Sequence, residues 1–123
     1  MKARVLVIDD EAIVRVSCKR VLEPQGYEVE VTERGADALR LLEEKPFDIV
    51  ITDLLMPDMD GLEVLRRIKD SWPEIPVIII TGYGTVSTAV QAVKLGAYDV
   101  VEKPFTPETI LQVVEKALKE KGS

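Results

Sequence analysis

Two hydrophobic patterns alternate along the chain. Short runs rich in Val and Ile occupy Val5 to Asp9, Tyr27 to Thr32, Asp48 to Asp53, Val77 to Thr81 and Val100 to Lys103. Each is short and nearly continuous in apolar character, which predicts strands buried on both faces. Between them, apolar residues recur at helical spacing. The predicted inward faces are Val14, Cys18, Val21 and Leu22; Ala38, Leu39 and Leu42; Leu62, Leu65 and Ile68; Val86, Ala89, Val90 and Val93; and Ile110, Val113, Val114, Ala117 and Leu118. Breakers separate the segments: Pro24 with Gly26, Pro46, Ser71 to Pro73, Gly96, and Thr106 before Pro107. Strand–helix units in strict alternation predict a single α/β domain over residues 1–123, with a parallel sheet covered on both faces.

The polar residues that interrupt the strands do so at their carboxyl ends. The first strand ends in Asp9-Asp10, followed by Glu11; the third ends in Asp53; the fourth in Thr81-Gly82; the fifth in Lys103-Pro104. Ligands of open α/β sheets bind beyond that edge. Each feature alone has an ordinary explanation. Asp9-Asp10 could cap the next helix, Asp53 could be a turn residue before Met56-Pro57, Thr81 a β-former and Lys103 a solvated strand end. The coincidence of all of them at one edge favours a site. Clustered carboxylates repel unless a cation sits among them, and hard oxygen ligands suit Mg²⁺. Such a cation also lets a carboxylate attack phosphorus, by neutralising the approaching oxygens. Aspartyl phosphates are an established type of covalent intermediate. Lys103 adds a second positive charge, Thr81 a hydroxyl donor and Gly82 an unobstructed N–H, all suited to a transferring phosphoryl group.

Composition narrows the classes. Of the 123 residues, 46% are hydrophobic and 31% charged, enough apolar material for one core. The formal net charge of −6 argues against direct nucleic-acid binding. Cys18 stands alone, which rules out an internal disulfide and predicts a reducing, cytoplasmic setting. No apolar run approaches the roughly 20 residues of a membrane span, and the start passes directly into a strand pattern, leaving no room for a signal peptide. The chain contains no His, which excludes a phosphohistidine, a Ser-His triad and most zinc sites within it. Residues 116–123 become charged and end in Gly-Ser, which fits either a stand-alone terminus or a linker to a C-terminal effector domain.

Across about residues 3 to 120 the sequence resembles the response-regulator receiver family of two-component signalling. The resemblance rests on Val7-Ile8-Asp9-Asp10-Glu11, on Asp48 to Gly61 with Asp53-Leu54-Leu55-Met56-Pro57-Asp58-Met59-Asp60-Gly61, on Ile80-Thr81-Gly82-Tyr83-Gly84, and on Gly96 to Phe105 with Lys103-Pro104. The wording around Thr81 to Val86 and Leu95 to Asp99 is most similar to receivers of nitrogen-regulator-type transcription factors. The resemblance implies a flavodoxin-like (βα)5 doubly wound fold with strand order 2-1-3-4-5. It implies Asp53 as phosphoacceptor, Asp10 as the main carboxylate ligand of Mg²⁺ with Asp9 nearby, and the Leu55 carbonyl as a further ligand. Thr81 and Lys103 become the phosphoryl-sensing pair, and Lys103-Pro104 matches the family's cis peptide, which aims the Lys inward. Leu55, Gly82, Tyr83 and Pro104 neighbour the phosphate, with Leu55 and Tyr83 expected to hinder an attacking water.

The implied partner is a sensor histidine kinase, and the implied output face is helix four, strand five and helix five, which could also form a homodimer. The family often carries an aromatic residue at the position of Val100. Tyr98, two residues earlier, is expected by strand alternation to point to the same side and is the aromatic candidate for a switch. Other classes fit less well. A dehalogenase-type phosphatase wants Asp-x-Asp, whereas Leu54-Leu55 follow Asp53. A module that is not phosphorylated would be expected to lack Asp53, Asp10 or Lys103. Flavin binding would need a Ser/Thr/Gly-rich phosphate loop after strand one. The chain therefore reads as a phosphorylation switch rather than a turnover enzyme.

Overall fold

A computed structural model describes residues 3–56, 58–82 and 86–121. In chain order the elements are β1 (Arg4–Ile8), α1 (Ala12–Leu22), β2 (Glu28–Thr32), α2 (Gly35–Glu44), β3 (Ile49–Asp53), α3 (Gly61–Ser71), β4 (Val77–Thr81), α4 (Val86–Lys94), β5 (Asp99–Glu102) and α5 (Pro107–Lys121). The strands form one parallel sheet in the order β2-β1-β3-β4-β5, the flavodoxin-like order expected.

Alternation along each strand splits the core in two. Leu6, Ile8, Val50, Val77 and Ile79 pack against α2, α3 and α4. Val5, Val7, Ile49, Ile51, Ile78, Ile80 and Val101 pack against α1 and α5. The central strands β3 and β4 are buried along their full length, consistent with their unbroken apolar runs. No helix of the described residues is long and apolar enough to cross a membrane.

Local chemistry sets several boundaries. The Asp60 carboxylate accepts from the Glu63 N–H at 2.9 Å and caps α3. Pro107 opens α5, where a missing N–H costs nothing. Gly96 ends the α4 region with φ 103°, a left-handed conformation natural only to glycine. Trp72 closes α3 and packs against the core beside its end.

The predicted inward faces of α1, α2, α3 and α5 hold, with Val14, Cys18, Leu22, Ala38, Leu42, Leu65, Ile68, Ile110, Val114 and Ala117 buried. That of α4 holds only in part: Ala89 is half-buried, and the Val86 side chain lies outside the described residues. Ala92 is fully buried, whereas Val90 and Val93 are 45% and 59% exposed. This helix is apolar around much of its circumference, so period alone admits more than one inward stripe. Close packing on the sheet selects the small residue. The Lys69 ammonium donates to the Pro73 and Ile75 carbonyls at 3.2 and 2.5 Å.

Candidate functional site

Parallel register brings the polar strand ends together. Ile8 lies opposite Thr52, so Asp9 comes level with Asp53. Asp53 in turn lies opposite Ile80, which sets Thr81 one step beyond it. The Lys103 N–H donates to the Thr81 carbonyl at 2.8 Å, carrying the fifth strand's end to the same edge. By alternation Asp9 and Asp53 continue the rows of Val7 and Ile51, toward the α1 and α5 side.

Asp9, Asp53 and Thr81 are buried, while Asp10 is exposed at the rim. Carboxylate oxygens of Asp9, Asp10 and Asp53 all lie within 4.8 Å of one another. Asp53 Oδ1 accepts from the Leu54 N–H at 2.8 Å, which orients the carboxylate. Asp9 Oδ1 accepts from the Glu11 N–H at 2.9 Å. Asp9 Oδ2 is buried with no hydrogen-bond partner, its nearest counter-charge being the Lys103 ammonium at 3.2 Å. The same ammonium is 3.6 Å from Asp53 Oδ2 and 2.5 Å from Glu11 Oε1. The Lys103-Pro104 peptide is cis.

Electrostatics follow from this crowding. Burial pushes the Asp53 carboxyl up to about 6, and the neighbouring Asp9 charge adds to the rise; Lys103 and the Leu54 N–H oppose it. Burial also raises Asp9, against the Glu11 N–H and Lys103. Lys103 is pulled down by burial, but its hydrogen bond to Glu11 and the charges of Asp9 and Asp53 prevail, so it ends above its ordinary value. One ammonium thus faces several carboxylates. The excess negative charge, the all-oxygen donor set and the orphaned Asp9 oxygen fit a hard divalent cation such as Mg²⁺.

The site opens into a groove of about 710 Å³, lined by Asp10, Glu11, Asp53, Thr81, Gly82 and Lys103 on the polar side. Ile13, Pro104 and Phe105 add an apolar wall. Leu55, which lines this groove, is 51% exposed. Among the described residues, a Cβ at Gly82 would meet the Lys103 side chain at 3.8 Å, an ordinary contact. Tyr83 lies outside the described residues.

Tyr98 and Val100 do not share a side. Val100 packs with the α2–α4 cluster and Tyr98 with the α1–α5 cluster. β5 begins at Asp99, so Tyr98 precedes the strand and escapes its alternation. Its N–H donates to the Val77 carbonyl, at the opposite end of β4 from Thr81, and its hydroxyl bonds the Glu120 carboxylate on α5. The aromatic ring therefore stands far from the space beside Thr81.

Two contacts had no local signal in the sequence. Glu11 takes the shortest contact with Lys103, across 92 positions of chain. Arg15 Nη1 donates to the Asp9 carbonyl at 2.7 Å and braces the loop after β1. The acidic run after the first strand marked Glu11 as part of the edge, but its partner depended on topology.

Comparison with known proteins agrees with this geometry. The profile of the response regulator receiver domain matches residues 5–115. A putative NtrX-like response regulator of Rickettsia bellii (strain RML369-C) is 42% identical over 92% of this chain, which covers 24% of that protein. The transcriptional regulatory protein FixJ of Bradyrhizobium diazoefficiens is 37% identical over 97% of this chain, covering 58% of its own length. The chain thus spans about a quarter of the NtrX-like relatives. Among solved structures, a CheY-like receiver domain from Methanospirillum hungatei JF-1 superposes with a TM-score of 0.95 at 30% identity, covering 99% of this chain and 98% of that one. The beryllofluoride-activated NtrC4 receiver domain dimer superposes at 0.92 with 40% identity, covering 96% and 98%.

Proposed function

The chain belongs to the response regulator receiver family, and from that premise we propose that it is switched by transfer of a phosphoryl group from a kinase phosphohistidine to Asp53. The observation that carries this reading is the buried Asp53 carboxylate, oriented by Leu54 and gathered with Asp9, Asp10 and Lys103 at one sheet edge. Asp10, Asp9, Asp53 and the Leu55 carbonyl would hold Mg²⁺, which when bound offsets negative charge on the phosphoryl oxygens.

In the transfer a carboxylate oxygen of Asp53 bonds to phosphorus as the phosphorus–nitrogen bond of the donor imidazole breaks. The electron pair of that bond stays on the ring nitrogen. The Leu54 N–H keeps the carboxylate turned toward the groove. Lys103, the Thr81 hydroxyl and the Gly82 N–H would donate to the phosphoryl oxygens. Leu55, over the groove, hinders water from reaching the acyl phosphate.

The modification brings about two negative charges to the edge and new acceptors to Thr81 and Lys103. Both residues end strands that lead into the α4–β5–α5 face, and a change there controls a partner or an attached effector domain. The exposed Val90 and Val93 of α4 supply apolar surface for such a partner, including a second copy of the chain. The dimeric state of the NtrC4 receiver supports that choice. Because Tyr98 is remote from Thr81, it is not the ring through which the shift runs.

The test is phosphorylation by acetyl phosphate with Mg²⁺, read by intact mass. The wild type should gain one phosphoryl group and Asp53→Asn none. Equal labelling of the Asn variant would overturn the assignment.

A further inference from the structure

We propose that Glu11 is a positioning residue that tethers Lys103 in the resting protein and competes with the phosphoryl group for its ammonium. The inference rests on the phosphoacceptor reading above and extends it to regulation of the same site.

The geometry separates Glu11 from the acidic cluster. Its carboxylate is not among the oxygens that gather around Asp53. It stands at the cap position of α1, yet makes no side-chain bond to that helix's N-terminus. It reaches instead across the groove to Lys103, at 2.5 Å, closer than Asp9 at 3.2 Å or Asp53 at 3.6 Å. The nearby guanidinium of Arg15 is directed elsewhere, to the Asp9 carbonyl and to Glu33.

An ammonium carries three donors and no acceptor, so these carboxylates and any phosphoryl oxygen draw on the same few bonds. Lys103 is largely enclosed, with 18% of its side chain exposed, and its nitrogen rests on the rim side nearest Glu11. The Glu11 side chain is 54% exposed and can be rehydrated when it lets go. Asp9 and Asp53 have no such alternative, because their side chains are almost wholly buried. Glu11 is therefore the partner that yields when a dianionic group arrives on Asp53. Its hold biases the equilibrium toward the unmodified arrangement, while Asp9 keeps Lys103 in the site.

Glu11→Gln keeps the size and an acceptor oxygen but removes the charge, and Glu11→Ala removes both. Beryllofluoride with Mg²⁺ serves as the phosphoryl mimic, titrated by NMR. Both variants should bind it roughly two- to five-fold more tightly than wild type, the range expected for loss of one partly exposed ion-pair competitor. The independent readout is the side-chain Nζ and Cε resonances of Lys103 without metal or beryllofluoride. These should move in both variants toward their positions in the activated wild type. Glu11→Asp, which keeps the charge on a shorter stem, should lie between. Failure of the wild type itself to bind beryllofluoride would count against the acceptor reading. Binding by the wild type, with unchanged affinity and an unmoved Lys103 signal in Glu11→Gln, would overturn the tether alone.

Discussion

Neutralising Asp53 should stabilise the metal-free protein, and the gain should depend on pH. The carboxyl is 6% exposed and its folded value is raised from 3.8 to about 6, chiefly by burial and then by the Asp9 charge. Between those values the folded chain holds a proton that the unfolded chain has released. Stability therefore falls as pH rises from about 4 through about 6, and is level above that window. At about 1.4 kcal/mol for each pH unit between the two values, the ionised carboxylate costs the fold about 3 kcal/mol at neutral pH.

Asp53→Asn removes that cost and keeps an oxygen able to accept from Leu54. The amide nitrogen that replaces Oδ2 faces the Lys103 ammonium, 3.6 Å from that position, donor against donor, which returns part of the gain. The net expectation at about pH 7.5 is about 2 kcal/mol of added stability, or about 8 °C in Tm for a domain of this size. Urea unfolding of both proteins in chelator, from about pH 4 to pH 8, measures it. The two curves should converge at the acid end, where both side chains are neutral. An Asn variant that is less stable at neutral pH, or whose advantage does not change with pH, would refute the account of a strained acidic edge. The same titration with Mg²⁺ should shrink the difference, because a bound cation stabilises the wild type.

Two further substitutions probe how the acceptor loop is held. In Gly61→Ala a Cβ would sit 2.3 Å from the Asp53 carbonyl oxygen and 2.8 Å from Leu54 Cα, backbone atoms that cannot step aside without moving the acceptor. Urea unfolding should show a loss of about 2–4 kcal/mol, and mass labelling a reduced phosphoryl uptake. Asp58 reaches over from the β3–α3 loop and accepts from the N–H groups of Gly35 and Ala36, at 3.0 Å each, capping an α2 whose own cap residue makes no side-chain bond. Asp58→Ala should cost about 1 kcal/mol at neutral pH. Those bonds, with Ala36 first, hold its carboxyl below the ordinary 3.8, so its contribution is present above that value and is lost as pH falls through the lower, folded one. A variant whose deficit persists unchanged in acid would show that the carboxylate charge is not what caps α2.

The strand runs and the polar residues ending them were legible in the chain itself. Continuous Val and Ile stretches have one stable use in an alternating α/β pattern, and parallel strands expose their carboxyl ends together. Asp9, Asp10, Asp53, Thr81 and Lys103 could thus be placed at one edge before any coordinate was known. Local pattern failed where it was degenerate or where it ended. α4 is apolar on more than one side, and only packing against the sheet turned Ala92 inward and left Val90 and Val93 outside. Tyr98 follows strand alternation only if it is in the strand; β5 begins one residue later, and the ring falls to the other face. The contacts of Glu11 with Lys103 and of Asp58 with α2 join residues 92 and 22–23 positions apart. No spacing encodes such pairs, because chain topology brings them together.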